Sequence, residues 1–215
     1  MSEVKIKICG ITRVEDALLA SNLGAHAIGM VFYTKSPRAV SVASARALVD
    51  AVGPFLTSVA LFVNPQVALV EDVLRDVRPH VLQFHGDEDA AFCEQFDRPY
   101  IKAIRVRDDT DIENAAARFQ NASGLLFDAW SESRYGGTGK TFNWQKIADF
   151  RTAPMILAGG LTPENIATAI AQVRPYAVDV SGGVEAAHGV KDAEKLRRFI
   201  AEVGDAVVRP HFGAP

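Results

Sequence analysis

Short runs of consecutive apolar, β-rich residues alternate with longer helical stretches along this chain, and that alternation restricts the fold more than any other feature. The runs fall at 4–8, 27–32, 57–63, 81–84, 100–104, 124–127, 155–157 and 177–180, which makes eight. Most are continuous rather than alternating, the pattern of a parallel sheet covered on both faces. Between them, residues 14–23 place Val14, Ala17, Leu18 and Leu23 on one stripe, and residues 67–77 repeat Val67, Val70, Val73, Leu74 and Val77 every three or four positions, as an amphipathic helix does. Thr162-Pro163-Glu164 reads as an N-cap with proline at the first helical position, Ser41 as the cap of the second helix and Asp192 as that of the last. Eight such units predict an α/β chain closed into a (β/α)8 TIM barrel. The alternative is a doubly wound open sheet, for which five or six strands are more usual.

One domain suffices for 215 residues, since α/β barrels of this size fold as a unit and bury roughly 70% of the unfolded surface. The barrel is expected over 1–203, with 204–215 as a frayed C-terminal tail. A net charge of -3 offers no basic excess for a nucleic-acid partner. No apolar run reaches the ~18 residues of a membrane span, and Met1-Ser2-Glu3-Val4-Lys5 lacks the apolar stretch of a signal peptide. Two cysteines, Cys9 and Cys93, form neither a disulfide framework nor a C-x-x-C pair. The expectation is a cytoplasmic monomer or homodimer, with no metal and no organic cofactor.

Barrel enzymes carry their chemistry at the C-terminal ends of the strands. There the first run ends at Cys9, the fourth at Gln83-Phe84-His85-Gly86, the sixth at Asp128 and the eighth at Asp179-Val180-Ser181. Any one of these has a plainer explanation: a lone cysteine is often a small buried apolar residue, and a strand-end aspartate is often a helix cap. Four on one rim point to a site, with His85 and Asp179 expected to contact substrate. The seventh and eighth runs lead into Gly159-Gly160 and Ser181-Gly182-Gly183. Glycine pairs let the backbone approach a ligand and offer N–H groups to it, and the loops after strands seven and eight are the usual phosphate site of this fold. Gly139-Lys140-Thr141 resembles the end of a nucleotide P-loop, but Arg134 stands where that pattern needs glycine. The stretch from Tyr135 to Lys140 is better read as a loop able to fold over the mouth, or as a plain surface loop.

Six segments, Lys7-Ile8-Cys9-Gly10-Ile11-Thr12, Ser36-Pro37-Arg38, Gln83-Phe84-His85-Gly86, Gly136-Gly137-Thr138-Gly139-Lys140, Leu157-Ala158-Gly159-Gly160-Leu161 and Asp179-Val180-Ser181-Gly182-Gly183-Val184-Glu185, together resemble the phosphoribosylanthranilate isomerases of tryptophan biosynthesis. The match runs in order along nearly the whole chain. The opening Lys-Ile-Cys-Gly-Ile-Thr is highly specific, whereas the Gly-Gly loops are shared by many phosphate-binding barrels. The resemblance implies an Amadori rearrangement of N-(5-phosphoribosyl)anthranilate into a 1-deoxyribulose 5-phosphate. It implies Cys9 as general base, Asp128 as general acid and Arg38 on the anthranilate carboxylate. The phosphate falls to Gly159, Gly160, Ser181, Gly182 and Gly183. Two positions depart from the family pattern: a second serine is more usual at Gly182, and leucine at Phe84. Rival readings are another sugar-phosphate barrel, such as the Amadori isomerase of histidine biosynthesis, and a catalytically silent phospho-ligand binder. The first is expected to carry aspartate at Cys9 and a second Gly-rich pair in the first half. The second would most readily have lost Cys9 or Asp128, and both are present.

Overall fold

The computed structural model describes residues 3–129 and 141–208. Eight parallel strands close into a barrel in chain order, with β8 pairing back onto β1. They are β1 (Lys5–Cys9), β2 (Ala27–Val31), β3 (Thr57–Phe62), β4 (Val81–Phe84), β5 (Tyr100–Val106), β6 (Gly124–Ala129), β7 (Met155–Leu157) and β8 (Ala177–Val180). Helices α1 (Val14–Asn22), α2 (Val42–Val52), α3 (Val67–Asp76), α4 (Ala90–Glu94), α5 (Ile112–Ala117), α6 (Ile166–Val173) and α7 (Ala193–Val208) form the outer layer. Between β6 and β7 the described residues supply one 3-10 turn, Trp144–Ile147. No helix among the described residues is long and apolar enough to cross a membrane.

The two-residue period of each strand divides its side chains between two cores. On β1, Ile6 and Ile8 join the large apolar layer beneath the helices, while Lys7 and Cys9 face the barrel axis among buried neighbours. A second apolar group on the axis side consists of Ala103, Leu126, Ile156, Ala158 and Ala177. Phe84 lies in the outer layer, its ring centroid 6.0 Å from those of Phe62 and Phe96 and 5.8 Å from that of Phe92. The larger ring at this position therefore packs within an aromatic group and stays clear of the axis.

Ser41 caps α2 by accepting from the Ser44 amide, and Asp192 caps α7 by accepting from the amides of Glu194 and Lys195. Two expectations require correction. Thr162 is not the cap of α6: residues 162–165 form a separate turn, with Thr162 Oγ1 accepting from the Glu164 amide, and the helix begins at Ile166. The barrel also does not stop at 203. Helix α7 runs through Val208, so 204–208 are helix rather than tail, because the buried stripe of Leu196, Phe199 and Val203 is continued by Ala206, packed against the same core. Residues 209–215 and the expected mouth loop at 135–140 lie outside the described residues.

Candidate active site

Cys9 ends β1 with its side chain on the axis, buried beside Lys7. The parallel register sets Lys7 opposite Asp179 of β8, and Lys7 Nζ donates to Asp179 Oδ1 at 2.8 Å inside the barrel. Burial pushes the Cys9 thiol above its ordinary pKa; the Lys7 ammonium pulls it back down, Asp179 raises it, and Lys191 lowers it. Burial likewise disfavours the Lys7 charge, but Asp179 and Cys9 outweigh it and hold the ammonium above its usual range. Gly29 of β2 makes the room. A Cβ there would lie 2.9 Å from Cys9 Sγ and 3.2 Å from Lys7 Nζ.

Asp128 stands near the end of β6, and its Oδ2 is 3.0 Å from His85 Nε2. His85 follows β4 directly, two residues beyond Gln83, so both side chains lie on the axis side; Gln83 Nε2 is 3.1 Å from His85 Nδ1. All three residues are buried. Gly159 comes against this carboxyl as well: a Cβ on it would meet the Ala129 amide nitrogen at 2.6 Å and Asp128 Oδ1 at 2.8 Å, and its φ of 85° favours glycine in any case.

A second buried cluster joins the loops after β1, β2 and β8. Arg38 donates from Nε and Nη2 to the two oxygens of Glu185, each at 2.7 Å, a fork-to-fork pair. Lys191 Nζ donates to Glu185 Oε1 at 2.9 Å, to the Cys9 carbonyl at 2.7 Å and to the Ser181 carbonyl at 3.2 Å. It thereby ties the end of β1 to the end of β8. Burial would raise the Glu185 carboxyl, yet Arg38 and Lys191 overcome that and hold it below the usual range. Two cations around one carboxylate leave the cluster with one net positive charge. Gly10, with φ of 71°, lets Arg38 cross the first loop: a Cβ there would lie 2.4 Å from Arg38 Cδ and 3.0 Å from Ser181 Oγ.

The two glycine loops touch. A Cβ on Gly183 would fall 1.8 Å from the Leu161 carbonyl oxygen, so no larger residue keeps the loops together. Gly160, with φ of 61°, continues the left-handed turn begun at Gly159. Asn165 holds its geometry, donating to the Gly160 carbonyl at 2.9 Å and accepting from the Thr162 amide at 2.8 Å. Beyond β8 a short 3-10 turn, Gly182–Val184, leads into a small antiparallel pair, β9 (Glu185–Ala187) and β10 (Val190–Lys191), that the sequence pattern did not signal.

The expected residues thus gather at one mouth, in two groups: Cys9, His85, Asp128 and Asp179 at the axis, and Arg38 with the glycine loops beside them. Sequence reasoning missed Lys7, Gln83, Glu185 and Lys191. A cation also stands beside the glycine loops in space, Arg38 Nη2 lying 3.3 Å from the Cβ position of Gly182. A serine at Gly182 would crowd that guanidinium, which gives this departure from the family pattern a physical setting.

The fold is that of (β/α)8-barrel enzymes, a class that carries its chemistry at the C-terminal mouth, and at that mouth here a thiol and a hydrogen-bonded carboxyl share the axis. The family model of N-(5'phosphoribosyl)anthranilate (PRA) isomerase matches residues 6–202. An N-(5'-phosphoribosyl)anthranilate isomerase of Pseudomonas fluorescens is 56% identical over 203 residues, covering 94% of this chain and all of the relative, and one of Neisseria gonorrhoeae is 54% identical over 201 residues, 94% and 97% of the two chains. The phosphoribosyl anthranilate isomerase structure from Thermotoga maritima superposes with a TM-score of 0.87 at 38% identity, over 94% of this chain and 99% of that one. A phosphoribosyl anthranilate isomerase solved in complex with reduced 1-(o-carboxyphenylamino)-1-deoxyribulose 5-phosphate gives 0.84 at 37%, with the same coverage. The chain belongs to the N-(5'-phosphoribosyl)anthranilate isomerase family.

Proposed function

We infer that this chain catalyses the Amadori rearrangement of N-(5-phosphoribosyl)anthranilate to 1-(2-carboxyphenylamino)-1-deoxyribulose 5-phosphate, a step of tryptophan biosynthesis. The observation that carries the reading is the convergence of Cys9 and Asp128, from strands five apart in order, on one axis of a barrel of this family. Asp128 gives a proton to the furanose ring oxygen, and the ring opens to an iminium. The Cys9 thiolate then takes the C2 proton, and the resulting enamine tautomerises to the ketose. Lys7 stabilises the thiolate at the moment it is needed, because its ammonium is buried next to the sulfur, where charge interactions are strong.

Asp179 keeps its Oδ2 for a substrate hydroxyl while Oδ1 holds Lys7, and His85 acts on substrate through Asp128. Arg38 meets the anthranilate carboxylate with its Nη1–Nη2 edge, since Glu185 occupies the Nε–Nη2 edge. Gly159, Gly160, Ser181, Gly182 and Gly183 receive the phosphate through backbone N–H groups, aided by the net positive cluster beneath them. No metal or organic cofactor enters these steps. The proposed setting is the cytoplasm, where two unpaired thiols stay reduced. The chain acts as a monomer or homodimer, and the Thermotoga maritima relative is described as dimeric.

Purified protein mixed with freshly made phosphoribosylanthranilate, followed by anthranilate fluorescence, tests the activity. Enzyme-dependent loss of the substrate signal with formation of the ketose is the expected result. Failure to form the ketose sinks the reading.

A further inference from the structure

Gln83 is fully buried on the barrel axis, and its Oε1 has no hydrogen-bond partner among the described residues. A buried amide oxygen left without a partner is destabilising, which directs attention to what the other end of the side chain does. That end, Nε2, donates to His85 Nδ1 at 3.1 Å, and the opposite ring nitrogen, Nε2 of His85, lies 3.0 Å from Asp128 Oδ2. An amide N–H requires a lone pair on Nδ1. A neutral imidazole with its lone pair on Nδ1 carries its proton on Nε2.

We propose that Gln83 is a positioning residue for the acid step: it fixes the His85 tautomer, and His85 in turn fixes which oxygen of Asp128 carries the transferable proton. The inference rests on reading Asp128 as the acid. With Nε2–H donating to Oδ2, that oxygen is an acceptor in both states of the carboxyl, so the proton of the acid form resides on Oδ1. In the step itself the Oδ1–H bond breaks, the proton passes to the substrate ring oxygen, and the electron pair stays on the carboxylate. The carboxylate keeps its N–H bond at Oδ2 and needs no rearrangement.

The other tautomer has the opposite effect. An Nε2 lone pair facing Oδ2 would draw the acid proton into an O–H···N bond, away from substrate. Gly159 fits the same scheme, because any Cβ there would press on Oδ1 at 2.8 Å.

The test is Gln83→Glu, which is nearly isosteric and as the carboxylate can only accept at Nδ1, and so reverses the tautomer or charges the ring. The expected result is a fall in kcat of at least about tenfold with KM changed less than about threefold, the signature of an interaction used in the transition state. Gln83→Met, which removes the donor without imposing an acceptor, should lose less. Nitrogen-15 NMR of the wild-type protein, with His85 assigned by its absence in His85→Asn, should show Nε2 protonated and Nδ1 bare. In Gln83→Glu, Nδ1 should become protonated. Wild-type spectra with the proton on Nδ1, or wild-type kcat in Gln83→Glu, would overturn the proposal, and the spectra decide it even where a variant fails to fold. Normal turnover by Asp128→Asn alongside the expected spectra would instead remove the acid reading and leave the tautomer standing.

Discussion

As the proposed base, Cys9 poses a conflict that its neighbours offset only in part. A base must lose its proton, and burial in the barrel opposes that; Lys7 is the main counterweight. Removing the cation should therefore raise the thiol further. Lys7→Met is expected to shift the rising limb of the kcat–pH profile to higher pH, with a loss of about tenfold or more near neutrality that partly recovers in alkaline buffer. Cys9→Ala sets the floor, roughly a hundredfold or more below wild type at every pH. Cys93 serves as a control, being a buried thiol that burial pushes up to about 12 and that cannot substitute as base. A Lys7→Met defect of equal size at all pH values would show that Lys7 acts through packing. Cys9 and Asp128 were legible in the sequence because a strand end in a barrel is already a position in space. Lys7 and Glu185 were not, since each acquires its role from a distant partner; Lys7 and Asp179 are 172 positions apart. Gln83 touches His85 only two residues on, and its setting emerges once His85 meets Asp128, 43 positions away. In the sequence, Lys7 was only one polar residue in an apolar run.

At the scale of elements, the loop from β4 to α4 carries His85 and is braced from both sides. Lys102, on the outer face of β5, donates to the Gly86 carbonyl at 2.7 Å and to Glu88 Oε2 at 2.8 Å, and its ammonium lies 5.5 Å from the Phe119 ring centroid. Glu88 Oε1 accepts from the Asn64 amide at 2.7 Å, tying in the loop after β3. Both charges of this ion pair are buried. Glu88→Gln leaves Lys102 without its counter-charge in the interior, which is expected to cost about 3–5 kcal/mol. Urea unfolding at neutral pH checks this, and a loss under about 1 kcal/mol would mean the pair is far better solvated than its burial implies. None of this could be read from Gly86-Asp87-Glu88, which looks like an ordinary acidic turn. The strands were far more legible: β4, β7 and β8 have the ends that their apolar runs suggest. Strand β5 extends two residues further, to Val106, because its ladder with β6 continues through Arg105 opposite Asp128 and Val106 opposite Ala129. Pairing of that kind is decided by the neighbouring strand and leaves no mark in hydrophobicity. The Thr162-Pro163 signal failed for a related reason. The same residues can open a turn or a helix, and here Asn165, bound to the Gly160 carbonyl, holds the turn.

For the molecule as a whole, closure of the barrel depends on how β1 meets β8, and Glu185 with Arg38 and Lys191 fastens that seam at its active end. The cluster links stability to pH with a defined sign. Burial alone would raise the Glu185 carboxyl, but the two cations bring its folded value below the ordinary 4.5. A depressed carboxylate contributes stability in full above its unfolded value, and that contribution is lost as pH falls through the folded value. Glu185→Gln removes the charge permanently and strands two cations in the interior, at a cost of about 3 kcal/mol or more near neutral pH. As the pH falls below about 4.5 and on through the lower folded value, the wild-type carboxyl takes up its proton and loses the same interaction, so the two proteins should approach equal stability. Exposed carboxyls held low by their partners, such as Glu164 and Asp192, titrate identically in both proteins and cancel in the difference. Urea midpoints measured for both proteins between roughly pH 3 and 7 therefore isolate one group. A gap that narrows toward acid assigns the seam's strength to the Glu185 charge; a constant gap would show that the glutamate holds the seam by shape and neutral hydrogen bonding.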